Sequence, residues 1–129
     1  MPGNVIPEDL RRFLLARGLS VPHVEAIVLL RSDLGSPWDT SRLAARLYAT
    51  VSRAAKLLAD LCDLGIAQPV DADSSQVTYR PETPELASLM DQLEEAHSKH
   101  LVAITRLIHA GRDPAAEQFA AAFRFRKEP

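Results

Sequence analysis

Apolar residues recur along this chain at helical spacing, in blocks separated by Gly, Pro and short polar runs. Leu10, Phe13 and Leu14 follow Pro7-Glu8-Asp9 and precede Gly18. This pattern predicts a first helix, since Pro suits the first turn and acids favour the positive end of the helix dipole. Val24, Ile27, Val28 and Leu30 predict a second, largely buried helix from Val21 to about Arg31, capped by Ser20, with Pro22 tolerated in its first turn. Gly35-Ser36-Pro37 reads as a turn, and Trp38 as a core anchor at the start of a one- or two-residue strand.

The densest pattern runs from Thr40 to Ile66, TSRLAARLYATVSRAAKLLADLCDLGI. Thr40 or Ser41 is expected to cap a helix whose apolar face is Leu43, Ala44 and Leu47. Tyr48 and Ala49 form the expected turn. Thr50 is the expected cap of a second helix with Ala54, Leu57, Leu58 and Leu61 inward. Gly65 supplies the positive φ that ends a helix, and Ile66 returns to the core.

The period then changes. Ile66 to Val70 reads as a strand restricted to an edge by Pro69, Asp71 to Ser75 as a polar turn, and Gln76 to Arg80 as the alternating return strand. From Pro84 to about Ala110 the helical period resumes. Leu86, Met90, Leu93, His97, His100, Ile104 and Leu107 follow a heptad seam, widened by Leu89, Ala96, Leu101 and Ile108. A helix so long exceeds what a small domain covers, so the seam is expected to pair with its copy in a second subunit or with the N-terminal helix of that subunit, the alternative being packing inside one chain. Gly111 is expected to break this helix, with Asp113 and Pro114 opening a last short one that carries Phe119, Phe123 and Phe125 beside Arg124, Arg126 and Lys127. Docking of this aromatic tail on the body or on the partner subunit is the first expectation. A basic arm on DNA is the second, and a hook for another protein or a membrane surface the third.

The fold class expected is therefore mainly α with a small β-hairpin: a winged helix-turn-helix with an extra N-terminal helix and a long C-terminal helix. Its segments are 1–19, an N-terminal helical extension; 20–83, the winged helix-turn-helix; 84–110, a dimerisation helix; and 111–129, an aromatic and basic tail. With 129 residues the chain suits one domain, and 47% hydrophobic with 5% aromatic residues suits an Ala/Leu-rich helical core.

Charge changes the picture. The net charge is −2 and the pI about 6.1, which weighs against tight DNA binding because phosphate contacts supply most non-specific affinity. Between Thr40 and Gly65, however, Arg42, Arg46, Arg53 and Lys56 stand against Asp60 and Asp63, whereas Pro81 to Lys99 is acidic. The single Cys62 rules out an internal disulfide and reads as a small buried hydrophobe. The longest apolar run, Ala26 to Leu30, is too short to span a membrane, and the simplest expectation is a cytoplasmic protein without a signal peptide.

Val51, Ser52, Arg53, Ala55, Lys56 and Asp60 face outward on the second helix of the pair. A recognition helix sets its N-terminal residues against base edges: Arg takes guanine bidentately, Lys takes guanine or phosphate, and Ser takes phosphate or a base. Ser52, Arg53 and Lys56 are the expected reading residues, with Arg42 and Arg46 along the backbone and Arg80 on the return strand. The hairpin tip, with Asp71 and Asp73, is poor chemistry for a minor groove. The run LAARLYATVSRAAKLLADLCDLGI and the hairpin after it resemble winged-helix regulators of the MarR and PadR type, over about Val21 to His109. The resemblance implies homodimeric binding of double-stranded DNA with Ser52, Arg53 and Lys56 at recognition positions. The rival reading is a winged helix kept as a protein-interaction module, favoured by the acidic pI, the acidic hairpin and the Phe-rich tail.

His97 and His100, one turn apart, admit three readings: hydrogen-bonded seam histidines, a pH-sensitive contact, or a metal site helped by Glu94 or His109. The first is the expectation, with no metal and no cofactor. There is no phosphate-binding glycine loop, no CxxC pair and no HExxH, and catalysis is not expected.

Overall fold

The computed structural model describes residues 6–72 and 75–112. Among them lie six helices and one two-stranded antiparallel sheet: α1 (Glu8–Ala16), α2 (Val21–Ser32), α3 (Thr40–Leu47), α4 (Val51–Asp63), β1 (Ala67–Pro69), β2 (Val77–Tyr79), α5 (Pro84–Lys99) and α6 (Leu101–Arg112). The protein is thus mainly helical with a small hairpin. No single helix among the described residues is long and apolar enough to cross a membrane.

The chain forms two compact units. One runs from Pro22 to Glu94; the other joins the chain through Val21 to the chain from Glu95 onward. In the second unit α1 and α6 pack together. Leu10 and Leu14 of α1 and Ile104 and Ile108 of α6 are buried, as their helical spacing requires. Gly18, at φ 67°, turns the chain out of α1, and Leu19 N–H donates to Leu14 O at 3.1 Å.

In the first unit α3 packs on α4, and α4 on β1. Leu43, Ala44, Ala54, Leu57, Leu58, Leu61 and Ile66 are buried with Trp38, Val24, Ile27 and Leu30. The hairpin pairs Ala67 with Tyr79, Gln68 with Thr78 and Pro69 with Val77. Trp38 adds one bridge to Val77 through paired bonds of 2.7 and 2.8 Å. The loop before α3 and the return strand are therefore held in one ladder. Arg31 of α2 ties α2 to the hairpin and to α5. Its guanidinium donates to Tyr79 Oη at 2.7 Å and Glu94 Oε1 at 2.6 Å, pairs with Asp91 at 3.0 Å, and lies 5.2 Å from the Tyr79 ring centre.

Three sequence expectations are corrected. The cap of α3 is Asp39, whose extended backbone lets its carboxylate accept from Arg42 N at 2.8 Å; Thr40 and Ser41 are already inside the helix. The expected single helix 84–110 is two helices, parted at His100. Ala96 O accepts from His100 N at 2.6 Å, and the ladder resumes with Ile104 N on His100 O. No Gly or Pro marks the break, but His97, Ser98 and His100 are weak helix formers and the β-branched Val102, Ile104 and Thr105 follow. Gly111 does not end the last helix, which continues to Arg112. One Gly near a helix end costs only about 1 kcal/mol, which neighbouring turns absorb.

The expected segments regroup accordingly. The division at Glu94 and Glu95 falls inside the expected 84–110 helix, and the 1–19 extension belongs with the later chain. Of the seam, Leu86, Met90, Leu93 and Ile104 are buried within a single chain, while His97, His100 and Leu107 are half-buried. A straight seam of this length would have needed a partner along about 40 Å; the break lets its apolar residues be covered without one. The large apolar residues left exposed on α6 are Leu101 and Val102, at 51% and 63%. The tail with Phe119 and Phe123 lies outside the described residues.

Candidate nucleic-acid interface

The site is built on the turn between α3 and α4. Tyr48 ends α3 in the left-handed region, at φ 56° and ψ 42°, and Ala49 N–H donates to Ala44 O at 3.0 Å. Tyr48 is the one non-glycine residue with positive φ among the described residues, and its side chain is 97% exposed. Thr50 then caps α4, Oγ1 accepting from Arg53 N at 3.1 Å. Gly65, at φ 79°, closes the other end, with Ile66 N donating to Leu61 O at 3.0 Å. The start and end of α4 are fixed by chemistry legible in its own sequence.

The first two turns of α4 present Val51, Ser52, Arg53, Ala55 and Lys56 to solvent. The Arg53 guanidinium has no protein partner among the described residues; only its backbone N–H is engaged, at the Thr50 cap. Lys56 Nζ reaches Asp60 Oδ1 at 3.3 Å, an exposed i,i+4 pair that contributes little. Asp60 is also bound by His23 of α2, whose Nε2 lies 2.8 Å from Oδ2. The His23 bond and the nearby Lys56 hold the Asp60 carboxyl below its usual range, against a smaller opposing effect of burial.

The flanking cations divide. Arg42 is held inside the unit: its guanidinium donates to Asp33 Oδ2 at 2.6 Å and Pro37 O at 2.9 Å and stacks on the Trp38 ring 3.7 Å from its centre. The same bond, with one from Ser36, draws the Asp33 carboxyl below its usual range. Arg42 thus anchors the loop before α3 over a fully buried Trp38. Arg46 is exposed in the last turn of α3, 5.9 Å from the same ring centre. Arg80 is exposed after β2; its N–H donates to Ile66 O at 2.9 Å and its carbonyl accepts from Gln68 Nε2, and its guanidinium has no partner among the described residues. Sequence reasoning placed Ser52, Arg53 and Lys56 together on one helix. It missed the roles of Arg31, Asp33 and His23, because the partners of Arg31 and His23 lie 37 to 63 residues away in sequence and no local spacing announces them.

Cys62 is half-buried, and burial with the neighbouring Asp63 pushes its thiol up, away from the reactive thiolate. Among the described residues no group of three His, Cys, Asp or Glu side chains is placed to hold a metal ion. Compared with protein families, curated proteins and solved structures, the chain matches none.

Proposed function

We propose that the Pro22–Glu94 unit is a winged helix-turn-helix and that the protein is a DNA-binding transcriptional regulator. It acts as a cytoplasmic homodimer with α4 in the major groove and without enzymatic activity or cofactor. The observation that carries this reading is the start of α4. A cap and a left-handed turn fix its first turn while Ser52 and Arg53 stand exposed beside Lys56, their side chains without a partner among the described residues. Arg53 suits a guanine edge, and Ser52 and Lys56 suit a base or phosphate. Arg46 and Arg80 supply further phosphate contacts. Arg42 is better read as structural, since reaching DNA would break its bonds to Asp33 and Pro37.

For the dimer, the buried part of the seam is unsuited to a partner, and Leu101 and Val102 are the better surface, with Phe119 and Phe123 of the tail as further candidates. Sedimentation of a Leu101→Glu variant tests this: it should be monomeric where the parent is dimeric.

The test of function is fluorescence anisotropy with DNA from upstream of the protein's own gene and with unrelated duplex, across a salt series. Preference for its own region with steep salt dependence is expected. A dimer in which Arg46, Lys56 and Arg80 of each protomer reach phosphate while Arg53 takes a base has a log–log slope of about −5. Arg53→Ala with Lys56→Ala should abolish binding and leave the helical circular dichroism unchanged. Unchanged binding by that double variant defeats the reading.

A second reading, a winged helix that binds protein and not DNA, draws on Asp60 and Asp63 on α4, on the Lys56–Asp60 pair and on the net charge of −2. Absence of binding at low salt favours it.

A further inference from the structure

The open face of α4 is divided lengthwise. At 3.6 residues per turn the buried Ala54, Leu57, Leu58 and Leu61 define the inward direction. Opposite them run Ser52, Lys56, Ala59 and Asp63. One flank carries Arg53 and, further along, Asp60. The other carries Val51 and Ala55, an i,i+4 pair that shares one strip of surface. Val51 opens the helix and is 58% exposed.

A lone exposed valine is ordinary. Its neighbours give this one meaning. It shares its turn with the exposed Ser52 and Arg53, whose side chains have no partner among the described residues, and the acids of the helix enter only from Asp60 onward. The first two turns therefore combine a cation, a hydroxyl and a methyl-bearing strip, and the later turns are unfit to approach phosphate. An A·T pair in the major groove offers the matching surface, because the thymine C5-methyl is its one apolar feature and lies beside hydrogen-bonding edges.

We propose that the Val51–Ala55 strip reads thymine methyl groups. The recognised half-site then carries a thymine, required for its methyl, across the helix from the base that Arg53 contacts. This inference rests on the DNA-binding reading and adds the base it selects. A protein partner would use the same apolar strip without any such requirement.

Binding duplexes are first selected from a random library with the full-length protein. Thymines of the selected duplex are then replaced one at a time by deoxyuridine, which removes the methyl and keeps every hydrogen-bonding group. At one thymine or two adjacent thymines per half-site, affinity should fall about three- to tenfold. In Val51→Ala the same replacement should cost less than about twofold, because the methyl has lost its contact. Val51 is exposed, so that variant keeps the fold, checked by its unfolding midpoint. If every deoxyuridine duplex binds within twofold of its parent, or if Val51→Ala keeps the full loss, the methyl inference falls while DNA binding stands. If no duplex is enriched and none binds at low salt, the DNA-binding reading falls and this inference with it.

Discussion

Tyr48 allows a stability prediction that depends on backbone geometry alone. Its φ of 56° puts a Cβ-bearing residue in the left-handed region, which costs an L-residue about 1–2 kcal/mol. Its side chain is 97% exposed, so removing the ring loses almost no packing. Tyr48→Gly removes the steric cost and adds the larger conformational entropy of glycine in the unfolded chain, about 0.5–1 kcal/mol. The net expectation is a gain of about 0.5–1 kcal/mol, or about 2–4 °C in Tm for a chain of this size. Tyr48→Ala is the control. It truncates the ring and keeps the left-handed cost, so it should match the parent within about 0.5 kcal/mol. The assay is urea unfolding followed by circular dichroism, with midpoints compared at a common slope, since a changed slope would signal an altered unfolded or native state. The reasoning is refuted if the glycine variant is no more stable than the alanine variant. Gly65→Ala gives the reverse experiment: at φ 79° the added methyl is strained and also runs into the Glu82 carboxyl group, so a loss of about 1–2 kcal/mol is expected.

Arg31→Met should cost about 1–2 kcal/mol in urea unfolding, because it unties α2 from Tyr79, Glu94 and Asp91; the partial exposure of both acids keeps the loss below that of a fully buried pair. Arg31→Lys should recover only part of it, since one ammonium cannot reproduce the planar fork; full recovery would mean that charge alone matters. Asp60 is held below its ordinary 3.8 by His23, so the stability it adds is present above that value and is lost as pH falls through its lower folded value. The gap in urea midpoint between the parent and His23→Ala should therefore narrow as pH falls below about 3.8; a gap that keeps its full width at the acid end contradicts the assignment. Cys62, with its thiol pushed up by burial, should alkylate more slowly at neutral pH than a small free thiol, and equal rates would show that it is open to solvent.

The period of the apolar residues made α1 to α4 legible, and turn chemistry at Thr50 and Gly65 fixed both ends of α4. Three polar residues in a row, Asp39, Thr40 and Ser41, all suit a helix cap, and only the extended backbone at Asp39 selects among them. The heptad spacing after Pro84 was real as a pattern of burial and misleading about continuity, because nothing in the period marks the break at His100. The outward face of α4 followed from the same arithmetic as its buried face. Arg42 did not: its partner Asp33 lies across the turn at Gly35, and the ring beneath it belongs to Trp38, whose backbone is bridged to the hairpin's return strand. Spacing tells which side of a helix a cation occupies, and the neighbouring loop decides whether that cation is free.

The bridge between Trp38 and Val77 has a consequence for how this molecule can change. The base of the hairpin is locked by that bridge, by the β1–β2 ladder and by Val70 N–H on Gln76 O at 2.9 Å. In sequence, Asp71 to Ser75 lies between the two sides of this lock. Doubling the length of such a loop costs only about 0.6 kcal/mol in closure entropy. Its charge and length can therefore drift, or be exchanged by design for a lysine-bearing loop, while α3 and α4 keep their places. The acidic stretch of sequence is a replaceable cassette on the Trp38–Val77 mount, and the preference of the molecule for one kind of surface over another can be rewritten there without renegotiating the core.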